Sequence, residues 1–280
     1  MALLELAGVR KAFGGLVAVN DLTFSVEAGR IVAMIGPNGA GKSTVFNLIT
    51  GIYKPTAGTL TFDGTALQSL KTDRITALGI ARTFQNIRLF AFMSALDNVM
   101  TGEHARMHAS LFDSLLHTPR QRGEEKRVRE RARELLRFVG LEREAFADAR
   151  NLAYGGQRRL EIARALASSP KLLLLDEPAA GMNPREKDDL VELIGRIRDS
   201  GVTVFLIEHD MNLVMRISER ITVLDHGEKI AEGEPAAVRS DERVIEAYLG
   251  RDADAPAAAA VAPASAGGVP GPAADPPGAA

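Results

Sequence analysis

The chain reads as an α/β protein organised around a parallel sheet, and three observations predict it. Short apolar runs at Ile31–Ile35, Lys171–Leu175 and Thr203–Ile207 have the length and composition of buried strands. Helix-forming segments separate them, and strands alternating with helices favour parallel pairing. Helix punctuation falls where that alternation requires it. Taken in order, Asn20–Glu27 and Gly58–Asp63 are rich in Val, Leu, Thr and Phe with glycine turns, which predicts an antiparallel β layer. Ile31–Ile35 runs into a glycine-rich turn and then a helix over Ser43–Thr50. The stretch Asp97–Arg150 is helix-forming, and its mixed-charge centre Arg120–Glu134 reads as a solvated face. A helix over Arg158–Ala167 leads through Ser-Ser-Pro to the strand Lys171–Leu175. Asn183-Pro184 opens the next helix as cap and first residue, and Gly201 marks its end. After Thr203–Ile207, Asp210 is placed to cap a further helix.

Length and composition exclude several classes. A chain of 280 residues buries a substantial core, and 46% hydrophobic with 25% charged residues is ordinary for a globular protein. With no cysteine, a disulfide framework, a thiolate nucleophile and a cysteine-based zinc site are all excluded. No export signal and no apolar run of about 18 residues is readable, so membrane association is expected through a partner. Residues 252–280 are nearly all Ala, Pro, Gly, Ser, Val and Asp, hold six of the 13 prolines, and are expected to be a disordered tail. Setting aside the tail's three acids leaves 34 basic against 33 acidic residues in 1–251. A polyphosphate-gripping surface needs a basic excess, so no nucleic-acid partner is expected.

Two motifs carry chemistry. Gly36-Pro37-Asn38-Gly39-Ala40-Gly41-Lys42-Ser43 fits G-x-x-x-x-G-K-S/T, with a buried strand before it and a helix after it, and Thr44, next in the chain, is a further candidate nucleotide-binding residue. Such a loop turns backbone N–H groups onto phosphate oxygens at a helix N-terminus. Lys42 reaches the terminal phosphates and Ser43 ligates Mg²⁺. Asp176 and Glu177 follow four leucines at a strand end. Asp176 is the candidate second Mg²⁺ ligand, and Glu177 the carboxylate that polarises an attacking water. The expected fold is therefore a P-loop NTPase (RecA-like) core with an antiparallel β layer and an inserted α-helical subdomain.

Between these motifs lies Leu152-Ala-Tyr154-Gly155-Gly156-Gln157, which resembles the signature motif of ABC ATPases. Anchoring on Gly155-Gly156-Gln157 puts Tyr154 at the family's serine position; anchoring on Leu152 shifts the match by one residue. The resemblance implies ATP and Mg²⁺ as cofactors and assigns further roles. Gln85 matches the Mg²⁺-sensing glutamine loop, and His209 the switch histidine that contacts the γ-phosphate. Phe13 stands where an aromatic stacks on adenine, or else packs into the core. Ala180-Gly181-Met182-Asn183 occupies the D-loop. In this family the signature turn of one subunit faces the phosphate loop of another, so a dimer with a second ATPase subunit is implied, homo- or hetero-, with the heterodimer the leading reading.

Four segments resemble more narrowly the larger ATPase of high-affinity branched-chain amino acid importers: Arg82–Phe90, Asn151–Gly155, Pro178–Pro184 and Ile207–Met211. A long insertion near His104–Pro119 suits the same type. The resemblance spans about residues 3–250. It implies one ATPase domain over 1–251 with a helical subdomain near 86–165. It also implies a peripheral position at the cytoplasmic face of the membrane, beneath two permease subunits supplied by a periplasmic solute-binding protein. Leucine, isoleucine and valine lead as solutes, with amides and urea open. A lipopolysaccharide-exporting ATPase shares the Glu-Pro-x-Ala-Gly wording but not the Thr-Phe-Gln-Asn loop. A soluble ABC ATPase acting on ribosomes or DNA is expected to carry two cassettes or a coiled-coil insertion, and neither is legible.

Overall fold

The apolar runs form the middle of a six-stranded sheet in a computed structural model that describes residues 2–103 and 119–252, with side chains described over 2–103 and 123–248. All but the last residue of the His104–Pro119 insertion, and the tail from residue 253, lie outside the described residues. The sheet order is β10-β9-β3-β8-β7-β6, comprising Glu228–Gly233, Arg220–Asp225, Ile31–Ile35, Thr203–Ile207, Leu172–Asp176 and Ile80–Arg82. Every pairing is parallel except the β9–β10 hairpin. A second, antiparallel sheet runs β2-β1-β4-β5, from Leu16–Glu27, Ala2–Phe13, Ala57–Phe62 and Thr65–Ala66.

Apolar runs are required because β3, β7 and β8 are buried along their whole length, with polar residues only at the strand ends Asp176 and Thr203. Successive side chains point to opposite faces. Ile31, Ala33 and Ile35 therefore join Leu173, Leu175, Val204 and Leu206 in one core. Val32 and Met34 join Leu172, Leu174, Phe205 and Ile207 in the other. Helix α1 (Lys42–Ile49) and the antiparallel sheet close the second core. The first is closed by α3 (Ala95–Gly102), α4 (Pro119–Phe138), α5 (Tyr154–Ala167) and α6 (Pro184–Asp199), with Leu213, Val214, Val238 and Val244 added by later helices. A short α2 (Thr72–Leu78) precedes β6, and α7 (Met211–Ile217), α8 (Pro235–Arg239) and α9 (Glu242–Asp252) complete the described chain.

Helix α4 buries Val128, Ala132, Leu135 and Leu136 on one stripe and exposes the charges between them. Those charges pair along the surface, as in Arg129–Glu125 and Arg131–Glu134, both at 3.4 Å. The helix stops sooner than the sequence suggested. Gly140 adopts φ +73°, Leu141 N–H bonds Leu136 O at 2.7 Å and Gly140 N–H bonds Arg137 O at 3.1 Å. That left-handed glycine terminus ends the helix. Beyond it the chain runs mainly in turns to a 3₁₀ turn at Ala149–Asn151.

Helix α6 starts as expected at Asn183. Its Oδ1 accepts from Glu186 N–H at 3.0 Å, while a Glu186 carboxylate oxygen accepts from Asn183 N–H at 3.0 Å, a reciprocal capping box. Asn183→Ala is expected to destabilise the fold by about 1 kcal/mol. Thermal unfolding checks this, and an unchanged midpoint would count against the cap's contribution.

Candidate active site

The parallel register places the C-terminal ends of three strands side by side. Met34 pairs with Ile207, and Asp176 with Ile207 on the other flank. The residues that follow, Gly36, Glu177 and Glu208, thus leave the sheet along one edge, where open α/β sheets bind ligands.

The loop 36–43 joins β3 to α1. Gly36 takes φ +151°, and a Cβ there would lie 2.0 Å from Leu224 O, so only glycine lets the loop pass this close to β9. Lys42 is buried, and its Nζ donates to Gly36 O at 2.7 Å and Pro37 O at 2.9 Å. The ammonium is thereby held against the loop's own backbone. Asn38, Gly39 and Ser43 are exposed, Thr44 is half-buried, and Ala40 packs inward. Gly41 caps α1, whose first turn carries no acid, so the partial positive charge of its free N–H groups is not neutralised locally.

Asp176 and Glu177 have different neighbours. Arg82 Nη2 donates to Asp176 Oδ2 at 2.8 Å, and Arg82 Nη1 donates to Asn47 Oδ1 at 2.6 Å. Side chains of Asp176 and Arg82 are 6% and 9% exposed. Glu177 is half-buried and stands at φ +46°, a left-handed conformation costing about 1–3 kcal/mol for such a residue. Its N–H bonds Ile207 O at 2.9 Å. Gln85 Nε2 donates to Glu177 Oε2 at 2.9 Å, and His209 Nε2 lies 2.7 Å from Glu177 Oε1. Three residues read separately from the sequence therefore meet around one carboxylate.

His209 is fixed by its neighbours. Buried Glu208 accepts from Ala179 N–H at 2.7 Å and from His209 N–H at 3.0 Å, tying the histidine's backbone to the segment after Glu177. Desolvation pushes the Glu208 carboxyl above its usual range, against those amides. Asp210 caps α7, and Lys187 of α6 bonds it at 2.6 Å, holding its carboxyl below the usual range.

Tyr154, Gly155, Gly156 and Gln157 form the first turn of α5, which begins four residues before the helix start read from the sequence. The N-cap is Ala153, so of the two registers the one anchored on Leu152 places the serine position where a serine would serve a helix. Gln157 Nε2 turns back to Leu152 O at 2.9 Å. Tyr154 is 43% exposed, with its ring packed over Gly181. Phe13, at the end of β1, is 40% exposed and meets Tyr53 edge-on at 5.0 Å, with Lys11 Nζ 4.8 Å from its ring centre. Among the described residues, the side-chain partners of the Glu177 carboxylate are Gln85 and His209, and neither Phe13 nor Tyr154 to Gln157 is among them.

Sequence reasoning missed Arg82, Arg158, Glu161 and Glu208. Arg158 and Glu161 are both buried, at 3% and 2% side-chain exposure, and are 3.3 Å apart. A charge on the apolar face of α5 was the available signal.

Residues 19–180 match the ABC transporter family. The chain is an ABC transporter ATP-binding cassette. It binds and hydrolyses ATP. A second family match, to the branched-chain amino acid ATP-binding cassette transporter, covers residues 228–254 of the cassette, from β10 to just past α9. The cassette is 48% identical over 249 residues to the high-affinity branched-chain amino acid transport ATP-binding protein BraF of Pseudomonas aeruginosa, covering 89% of this chain and 98% of that one. Its fold matches the ADP conformation of MJ1267, an ATP-binding cassette of an ABC transporter. The TM-score is 0.79 at 33% identity, over 89% of this chain and 99% of that one. It also matches the dimeric cassette MJ0796 in a post-hydrolysis state bound to ADP and Pi, with TM-score 0.71 at 29% identity, over 83% of this chain and 98% of that one. No described helix of the cassette is long and apolar enough to cross a membrane.

Proposed function

We propose that the cassette drives import of branched-chain amino acids, working as one half of an ATPase dimer at the cytoplasmic face beneath two permeases that receive solute from a periplasmic binding protein. What supports the solute class is the 48% identity to BraF together with the match at 228–254. The second subunit is read as a related cassette, making a heterodimer. Residues 1–251 are taken as one ATPase domain, with a helical part near 86–165, and 252–280 as a tail.

The observation that carries the catalytic reading is the Glu177 carboxylate held between Gln85 and His209. Glu177 is assigned as the base. Each of its oxygens keeps a second lone pair for a water proton, and the two neighbours fix the direction of those lone pairs. His209 steadies the water and the γ-phosphate. Gly36 to Gly41 supply backbone N–H groups to the phosphates, with Lys42 countering their charge and Thr44 at the helix start. Mg²⁺ draws charge from the phosphate oxygens when bound. Ser43, Asp176 and Gln85 are the residues assigned to hold it, a sparse set suited to an ion that takes one or two carboxylates plus substrate phosphates. Phe13 is assigned to adenine. The α5 turn, Tyr154 to Gln157, is assigned to the nucleotide of the partner subunit, which it meets with free N–H groups and no acid in its first turn.

The test is reconstitution with the neighbouring permeases and binding protein in vesicles, followed by ATP-dependent uptake over a panel of amino acids, amides and urea. Uptake of leucine, isoleucine and valine is the expected result. ATP hydrolysis accompanied by uptake of none of the three would overturn the solute assignment.

A further inference from the structure

Arg158 and Glu161 lie one turn apart on α5, and what they bind is the backbone of the glutamine loop. Arg158 Nη1 donates to Phe84 O at 2.7 Å, and Arg158 Nη2 donates to Gln85 O. Glu161 Oε1 accepts from Phe84 N–H at 3.3 Å and from Arg88 N–H at 3.5 Å. The guanidinium takes the loop's acceptors and the carboxylate its donors. The loop has just left the sheet, since Thr83 N–H still bonds Leu174 O at 2.9 Å. From Phe84 onward its amides and carbonyls are served by α5 instead.

Burial of this pair is not an obvious gain in stability, because desolvating two charges offsets much of their attraction. Arg158 Nη2 also reaches Tyr154 Oη at 3.1 Å, within the first turn of the same helix. One guanidinium thus touches both the α5 turn and the backbone of Gln85, whose side chain sits on Glu177. Arg88 lies over the Phe84 ring at 4.5 Å and stiffens the same loop.

We propose that the buried Arg158–Glu161 pair is the rigid link that makes the position of Gln85 in one nucleotide site depend on how the α5 turn of the same chain engages the other site. The proposal rests on the two-site reading above. Arg158 and Glu161 are positioning residues, since neither touches the Glu177 carboxylate. Closure of the α5 turn on the partner's nucleotide shifts the helix, and the helix carries the loop with it. The two sites then fire together instead of independently.

The test uses the full chain in its reconstituted ATPase dimer, with MgATP as the probe. Arg158→Met combined with Glu161→Leu removes both charges at once, which for a buried pair is commonly neutral to stability, whereas a single change strands one charge. The double variant is expected to keep the parent's melting temperature and ATP affinity. Its kcat should fall about a hundredfold, the usual penalty of an ångström of misplacement. Its Hill coefficient for ATP should fall to one. A folded double variant with the parent's Hill coefficient overturns the link, whatever its kcat. If the double variant does not fold, Arg158→Lys decides: it keeps the charge beside Glu161 but loses the fork to two carbonyls. A lowered Hill coefficient there supports the link, and an unchanged one overturns it. The two-site reading fails separately, through a Glu177→Gln chain that forms no ATP-dependent dimer with its partner cassette.

Discussion

Glu177→Gln is expected to bind ATP as tightly as the parent and to hydrolyse it at least about a hundredfold more slowly, the contribution typical of a positioned general base. The amide has nearly the same shape, and the strained backbone at φ +46° and its bond to Ile207 O are unaffected by the change. Gln85 still finds an oxygen to donate to. What is lost is the ability to take a proton from water. ATP then holds the dimer closed, so size-exclusion chromatography of the variant mixed with its partner cassette and ATP should show a species of about twice the single-cassette mass that persists for many minutes. Phosphate release at the parental rate would remove Glu177 from the role of base.

Lys42→Ala is expected to weaken ATP binding by roughly ten- to a hundredfold, the scale of one charge-assisted hydrogen bond lost. The substitution also deprives Gly36 O and Pro37 O of the donor that holds them at 2.7 and 2.9 Å, so the loop loses an internal tie as well as a charge. Isothermal titration with ATP measures the first effect, and thermal unfolding without nucleotide the second. Unaltered affinity would overturn the assignment of the loop.

Parts of the molecule that depend on local pattern were legible in the sequence. The runs Ile31–Ile35 and Thr203–Ile207 are strands at the bounds read for them, because burial on both faces requires apolar side chains at every position but Thr203, whose hydroxyl accepts from Gly29 N–H. Asn183-Pro184 opened α6 as read, because both residues have a fixed place at a helix start. The start of α5 was misread by four residues, since Ala153 supplies no capping side chain and Gly155-Gly156 looks like a turn. Partners distant in sequence were not legible at all. Arg82 meets Asp176 across 94 positions, and Arg158 meets Gln85 across 73, through contacts created only when β6, β7 and α5 are packed together. The members of the Glu177 cluster were named in advance because each belongs to a motif of its own, yet nothing in those motifs foretold that they would touch one another.

The leucine strand β7 has a neighbour on each side and a core on each face, so its amides are shielded from solvent unless the domain opens as a whole. Asp176 and Glu177 hang from that strand and inherit its stiffness. Gln85, by contrast, sits on a loop that has already left the sheet's outermost strand, and its backbone is carried by α5. On the proposed two-site reading, turnover divides into a stator and a rotor: the carboxylates stay where the sheet puts them, and α5 with the glutamine loop is the part that moves.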